Sequence, residues 1–323
     1  MGSEIISSLY KALPHSMQNL ALNMYAFKVH MERYGAPFRR ALDELTKTQH
    51  YSQSQIDEYQ NVRLVRLIRY AYQEVPYYRE LFDRVGLKPS DIKSKEDLHK
   101  IPVLTRKDVH ENSQKLIAAN YPLNKLIHGH TSGTTGTPLS FYWDKNTCVY
   151  TNAVDWRQKN WAGIEYGDPI SLFLGRTIVP PDRERPPFWQ KDHIHNQLWM
   201  SSFHMNEKNL PYYFDKLSSF KPLAVEGYPS TLYILARYLL KNNTTFPVKA
   251  AFTSSETLLP IQREVIEKSF KCKIYDFLGM AERVIFATEC EHHSGHHLNF
   301  EYALNEVVDG DNNPVEQGQQ GYL

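Results

Sequence analysis

From residue 224 to residue 277 the chain switches repeatedly between short apolar runs and helix-like stretches of about ten residues. Ala224-Val225-Glu226-Gly227 precedes a helical pattern from Ser230 through Leu240. Lys249-Ala250-Ala251-Phe252-Thr253 precedes another from Pro260 to Phe270, and Lys273-Ile274-Tyr275-Asp276-Phe277 closes the series. A strand followed by a helix is returned to the same end of the sheet, so its successor pairs in parallel and the helices cover the faces. Further runs fit the same architecture. Leu139–Trp143 has β-forming residues, 146–163 reads as helix, and Pro169–Leu174 suits a buried strand. The Pro-, Trp- and charge-rich stretch 176–200 reads as loop. Asp309–Pro314 reads as a turn between two late strands, a small β subdomain at the end of an α/β chain.

The first half is helical in pattern. Leu20, Met24, Phe27 and Met31 recur at helical spacing within a preamble over residues 1–54. Val62, Leu64, Val65, Leu67, Ile68 and Ala71 form a stronger stripe that stops before Pro76, and a short helix from Tyr77 ends at Gly86. Ser94 with Asp97, and Thr105 before Val109, mark helix starts.

In open α/β sheets, ligands gather where strands end and helices begin. Three such junctions carry unusual polar residues: Gly227-Tyr228-Pro229-Ser230, Thr253-Ser254-Ser255-Glu256-Thr257 and Leu278-Gly279-Met280-Ala281-Glu282-Arg283. Helix capping accounts for Ser230 or Ser255-Glu256 taken singly. A fourth segment, Thr131-Ser132-Gly133-Thr134-Thr135-Gly136-Thr137-Pro138, makes poor helix and poor core strand. Its glycines permit close backbone approach, and successive N–H groups with neighbouring hydroxyls form an anion-binding concavity. It is not a Walker loop, because the Gly-Lys-Ser/Thr ending is missing.

Charge and cysteine content narrow the alternatives. With 37 basic and 36 acidic residues the net charge is +1, so no global field recruits nucleic acid or an anionic membrane. No basic stripe interleaves with aromatics, and no Gly-x-Ser-x-Gly elbow supports a hydrolase triad. Three cysteines do not make a disulfide framework. No run of ~18 apolar residues exists, and the N-terminus has no signal-peptide pattern. A soluble, cytoplasmic protein is expected. Cys290-Glu291-His292-His293-Ser294-Gly295-His296-His297 is dense in metal-ligand types. Cys290, His292 and His297 have the chemistry for a structural Zn²⁺, whereas the glycine equally suits a hairpin with exposed histidines.

Three of these segments carry a family resemblance: Thr131–Pro138, Thr253–Leu258 and Asp276-Phe277-Leu278-Gly279-Met280-Ala281-Glu282-Arg283. Together they resemble the adenylate-forming (AMP-binding) ligases. The branch resembled is the phenylacetate–CoA ligase-like one, which includes proteins called capsular polysaccharide biosynthesis proteins. Tyr70-Ala71-Tyr72-Gln73-Glu74-Val75-Pro76-Tyr77-Tyr78-Arg79, then Asp97-Leu98 and Ile101-Pro102-Val103-Leu104-Thr105, follow that branch's N-terminal pattern. The similarity runs from about residue 55 to 323. It implies the large N-terminal domain of such an enzyme, with mostly parallel sheets flanked by helices. It also implies a two-step reaction, in which ATP and a carboxylic acid give acyl-AMP and pyrophosphate and the acyl group passes to CoA or an amine.

By the same resemblance Thr131, Ser132, Gly133, Thr134, Thr135 and Gly136 hold the β- and γ-phosphates, with Thr131 and Thr135 acting together with Glu282 in catalysis. Glu282 binds Mg²⁺. Ser254, Ser255, Glu256, Leu278 and Gly279 line the adenine site, and Tyr228 faces the acyl group. Three departures stand out. Leu278 replaces the family's stacking tyrosine, and Thr137 stands where many relatives carry lysine. The chain also ends at Gly321-Tyr322-Leu323, before the family's ribose-binding segment and C-terminal lid. Impaired turnover is therefore expected of this chain, and a non-catalytic nucleotide- or acyl-binding domain is the alternative reading.

Overall fold

The computed structural model describes residues 13–131, 139–316 and 318–323. The chain divides into two compact units. One takes Met1–Arg39, Asp155–Gly279 and Ala287–His297; the other takes Arg40–Val154, Met280–Phe286 and Leu298–Leu323.

The first unit is built on a mixed sheet. Its strands are β3 (Ile170–Leu174), β4 (Trp189–Asp192), β5 (Gln197–Ser201), β6 (Ala224–Gly227), β7 (Ala250–Ser254), β8 (Lys273–Gly279), β9 (Phe286–Glu289) and β10 (His296–Leu298), numbered after a separate hairpin described below. Across the sheet the order is β10-β9-β8-β7-β6-β3-β5-β4. From β5 to β8 all neighbours are parallel, while β4 closes the edge as an antiparallel partner of β5. This is the expected mostly parallel α/β sheet.

Alternation along the strands sorts the two faces. Phe173, Leu198, Met200, Val225, Ala251 and Ile274 point to one side and are fully buried. There they pack with Leu210, Tyr213 and Leu217 of α7 (Leu210–Phe220), with Leu232, Leu235 and Leu239 of α8 (Pro229–Lys241), and with Ile266 and Phe270 of α9 (Pro260–Phe270). On the opposite side Trp199, Leu172, Glu226, Phe252 and Tyr275 stand in one register row across five strands. The end of α6 (Lys145–Trp161) serves that face, where the Lys159 ammonium sits 5.0 Å from the Phe252 ring centre.

Two strands occur where the composition reads as loop. In β4 the buried positions are Gln190 and Asp192, so the usual apolar signal is missing. Their polarity is answered by α1 (His15–Arg33) and by the turn that follows β4. Asn19 Nδ2 donates to Gln190 Oε1 and to the Lys191 carbonyl, both at 3.0 Å, and Asp192 accepts from the Ile194 and His195 amides. Helix α1 is correspondingly inverted. Its asparagines face the sheet edge, while Leu20, Met24, Phe27 and Met31 are exposed.

The second unit has its own core. Leu64 and Ile68 of α3 (Gln53–Glu74) pack with Val75 and with Tyr77, Leu81 and Phe82 of α4 (Pro76–Val85), and Ile92 completes the cluster. A reciprocal capping box starts α3, with Ser52 N donating to Gln55 Oε1 at 2.9 Å. Gly86 ends α4 in the left-handed conformation. Asp97 accepts from the Lys93 and Ser94 amides, and the Thr105–Asp108 box starts α5 (Arg106–Glu111). Helix α2 (Ala36–Thr48) crosses the division between units. The hairpin β1 (Ile127–His130) and β2 (Ser140–Trp143) pairs antiparallel, with His130 opposite Ser140. Near the end, Asp309 organises the expected turn by accepting from the Asp311 and Asn313 amides. Its flanks form isolated bridges, Val308 with Pro314 and with Tyr322, rather than full strands. Among the described residues no helix is long and apolar enough to cross a membrane.

Candidate active site

In the first unit the carboxyl ends of β3, β6, β7 and β8 lie side by side, and hydrogen bonds tie the polar junctions together. Tyr228 is the N-cap residue of α8 and Pro229 occupies its first turn, so the missing Pro N–H costs nothing. Ser230, next in that turn, donates to Glu256 from both its amide (3.0 Å) and its hydroxyl (3.0 Å). A carboxylate on a helix N-terminus is electrostatically favoured. Glu256 thus joins the β6 and β7 junctions, and its two oxygens are committed to that task. Ser255 takes φ +67°, and its hydroxyl lies 3.3 Å from that of Ser254.

The β7 and β8 ends are joined through Thr253, whose hydroxyl donates to Asp276 Oδ1. Asp276 Oδ2 is 3.1 Å from His296 Nε2, and its amide donates to Glu289 Oε2 at 2.9 Å. The carboxylate holds the His296 imidazole above its usual pKa, because the hydrogen bond outweighs the opposing effect of burial. Leu278 and Gly279 end β8. Leu278 is 49% exposed, an apolar face in place of an aromatic one, and nothing lies within 4 Å of where a Cβ on Gly279 would stand.

Tyr228 packs against Gly175, just beyond β3. A Cβ there would fall 2.4 Å from the ring, so glycine is what admits the tyrosine. Sequence reasoning missed Gly175, and no local signal distinguishes it from an ordinary loop glycine. It also missed the buried ion cluster of this unit. Lys159 Nζ lies 2.5 Å from Asp155 Oδ1 and 3.1 Å from Glu226 Oε2. Burial opposes charge on Lys159, yet the two carboxylates together raise its pKa above the ordinary value. Burial likewise raises Glu226, against the pull of Lys159. The i,i+4 spacing of Asp155 and Lys159, and a glutamate inside the apolar Ala224–Gly227 run, are the available sequence signals.

In the second unit Thr131 precedes the glycine-rich segment. Its amide donates to the Leu139 carbonyl and its hydroxyl accepts from the Leu139 amide, both at 3.0 Å. These bonds pin the two ends of that segment; Ser132, Gly133, Thr134, Thr135 and Gly136 themselves lie outside the described residues. Glu282 sits half-buried in the turn between β8 and β9, where Arg283 N donates to the Met280 carbonyl. Arg283 is drawn away over the Trp143 ring, 4.6 Å from its centre. Among the described residues no ion pair engages the Glu282 carboxylate, which suits a ligand for a hard cation.

The cysteine–histidine segment yields a pair. Cys290 Sγ is 3.2 Å from His297 Nε2, but His292 does not complete a set with them. Among the described residues no three metal-ligating side chains converge, so the expected zinc set is not assembled there. The glycine hairpin alternative accounts for Gly295, which has φ +138°.

No protein-family model matches the chain. It is 28% identical over 295 residues to "Protein CapK" of Staphylococcus aureus, an alignment covering 88% of this chain and 62% of that protein. It is 26% identical over 290 residues to the phenylacetate-coenzyme A ligase of Thermus thermophilus, covering 82% of this chain and 60% of the relative. The chain is thus similar to adenylate-forming ligases of the phenylacetate–CoA ligase-like branch. It spans about three fifths of the length of these curated relatives. Among solved structures, an open conformation of 2-hydroxyisobutyryl-CoA ligase in complex with 2-HIB-AMP and CoA superposes with a TM-score of 0.66 at 22% identity. That match covers 83% of this chain and 65% of the ligase, and it establishes the shared fold. The chain carries its junction residues at the strand ends where an open α/β sheet receives ligands.

Proposed function

We propose that the chain catalyses acyl-adenylate chemistry: a carboxylic acid and ATP give acyl-AMP and pyrophosphate, and the acyl group then passes to the thiol of CoA. Similarity to a phenylacetate-coenzyme A ligase supports the reaction class. The observation that carries the reading is the set of strand-end junctions in the first unit, joined by the Glu256–Ser230 and Thr253–Asp276 hydrogen bonds.

In the first step a carboxylate oxygen attacks the α-phosphorus and the bond to the β-phosphate oxygen breaks, releasing pyrophosphate. A carboxylate is a weak nucleophile, so the work of the site is positioning and stabilisation of charge on phosphate oxygens. Thr131, Ser132, Gly133, Thr134, Thr135 and Gly136 take the β- and γ-phosphates in this reading. Glu282 supplies the carboxylate oxygen for Mg²⁺, which neutralises phosphate charge when bound. Ser254, Ser255, Leu278 and Gly279 border the adenine, Leu278 by apolar contact alone. Tyr228, backed by Gly175, faces the acid. In the second step the thiol sulfur attacks the acyl carbon and AMP leaves.

Calorimetric titration with ATP and Mg²⁺, beside a Glu282→Gln variant, tests the assignment. Saturable binding weakened about tenfold by the variant is expected, equivalent to ~1.4 kcal/mol. Absence of binding by the folded parent chain would overturn the nucleotide site and leave a non-catalytic domain.

A further inference from the structure

Helix α1 docks on its own unit through one face and leaves the other bare. Asn19 and Asn23 serve the docked face, and Gln18 Oε1 accepts there from Gln190 Nε2. The bare face carries Met17, Leu20, Met24, Phe27 and Met31, exposed by 51, 62, 68, 57 and 65%. Their spacing is three, four, three and four residues. That is the narrow seam of a two-stranded coiled coil, not the wider stripe of a helix packed on a domain core. The stripe lies ahead of the stretch, from about residue 55, that carries the family resemblance, so the resemblance gives it no role.

The size and charge of this face decide what it can hold. At roughly 200 Å² of surface for a large apolar residue, those exposures amount to about 600 Å², the upper end of the largest patch a monomer commonly shows. Two such faces together would remove at most about 1,200 Å² from water, the boundary between transient and stable interfaces. The exposed charged residues of α1 are Lys28 and Glu32, one of each sign. A helix that lies on an anionic bilayer instead carries a surplus of Lys and Arg. The face therefore fits an apolar helix of its own kind.

We propose that the stripe pairs α1 with α1 of a second copy of this chain, antiparallel and related by a two-fold axis. In such an isologous contact the same face serves both partners, so each layer of the seam occurs twice. With Leu20 set on Met24 of the partner subunit, the antiparallel seam also brings Met17 onto Phe27 of the partner subunit. Every one of these layers joins one methionine to one leucine or phenylalanine. The layers are then even in volume, and the flexible methionine fills the gaps. A parallel pairing in register would set Phe27 on Phe27 of the partner subunit and methionine on methionine, an uneven seam. Antiparallel pairing also places the two Lys28 side chains toward opposite ends, where they do not repel. An interface of this area forms a dimer in the micromolar range, and in dilute solution the stripe is bare.

Sedimentation velocity over a concentration series spanning the micromolar range tests the pairing. The weight-average mass of the parent should rise from 37.7 kDa toward twice that value. The double variant Leu20→Gln/Met24→Gln should stay monomeric where the parent is dimeric. Because α1 is held through its other face, this variant should keep the far-ultraviolet circular dichroism of the parent. Ile261→Gln, at a 52% exposed apolar position on α9, should associate as the parent does. An equimolar mixture of Leu20→Glu and Met24→Lys chains should be heavier than either chain alone, since the antiparallel seam sets the two opposite charges side by side. A parent that stays monomeric throughout would overturn the proposal, and flotation of that monomer with phosphatidylcholine vesicles would give the stripe to a bilayer. A dimer left intact by Leu20→Gln/Met24→Gln, or a mixture no heavier than its components, would equally overturn it.

Discussion

Asp276 shows how much one strand residue is asked to do. Its side chain accepts from Thr253 and pairs with His296, its amide donates to Glu289, and its carbonyl accepts from Gln158 Nε2 at 2.8 Å. A charged residue within the Lys273–Phe277 run is visible in the sequence, but its partners stand 13 or more residues away and are set by tertiary packing, Thr253 by the β7–β8 register. The pairing has a pH signature. The folded pKa of His296 is raised above 6.5, chiefly by the hydrogen bond to Asp276. Its contribution to stability is therefore fully present below pH 6.5 and is lost as pH rises through the folded value. Histidine-selective NMR titration should place the His296 midpoint above 6.5, falling in Asp276→Asn. A midpoint that the variant leaves unchanged would assign the shift elsewhere. At this scale the sequence marks chemically active residues without revealing their contacts.

Helix α1 illustrates what periodicity conveys and what it leaves open. The recurrence of Leu20, Met24, Phe27 and Met31 reveals a helix, yet the expectation that an apolar stripe faces the core fails for α1. The competing influence is β4, an edge strand whose free backbone groups need partners. Asn19 and Asn23 both donate to the Lys191 carbonyl, and Asn23 Oδ1 accepts from the His193 amide at 2.8 Å. The same polar pairing hid β4 from composition, because its inward residues are Gln190 and Asp192. Elements with apolar runs, such as β3, β7 and α8, were legible for the opposite reason: their local signals agree with their burial. An inverted helix reverses the usual ranking of substitutions. Asn23→Ala should lower stability by about 1 kcal/mol, since it leaves the His193 amide without its partner while Asn19 still donates to the Lys191 carbonyl. Met24→Gln, at a 68% exposed position, should stay within about 0.5 kcal/mol of the parent. Urea midpoints of the two variants check this; a larger loss in Met24→Gln would mean the stripe is covered in solution.

For the whole molecule, the decisive fact is that neither compact unit is one continuous stretch of chain. The sheet unit gathers three stretches, the first of them ending at Arg39. The βαβ alternation makes the centre of this unit legible, because each strand and helix is local. The gathering of a distant N-terminal segment against β4 has no local signal, since it depends on complementary polar faces more than 150 residues apart. The same holds for the candidate site: its junctions can be read as motifs, whereas Gly175 beneath Tyr228 is a tertiary fact. If α1 is integral to this unit, deleting residues 1–35 removes six side-chain hydrogen bonds to β4 and the turn after it, together with Arg33 and Tyr34. At ~1 kcal/mol per hydrogen bond the loss is about 6 kcal/mol, which lowers the melting temperature by roughly 10 °C in a chain of this size. Calorimetric melting of the two chains separates the cases. An unchanged melting temperature would make α1 a detachable appendage, and the polar seam along β4 would then contribute nothing to holding the sheet together.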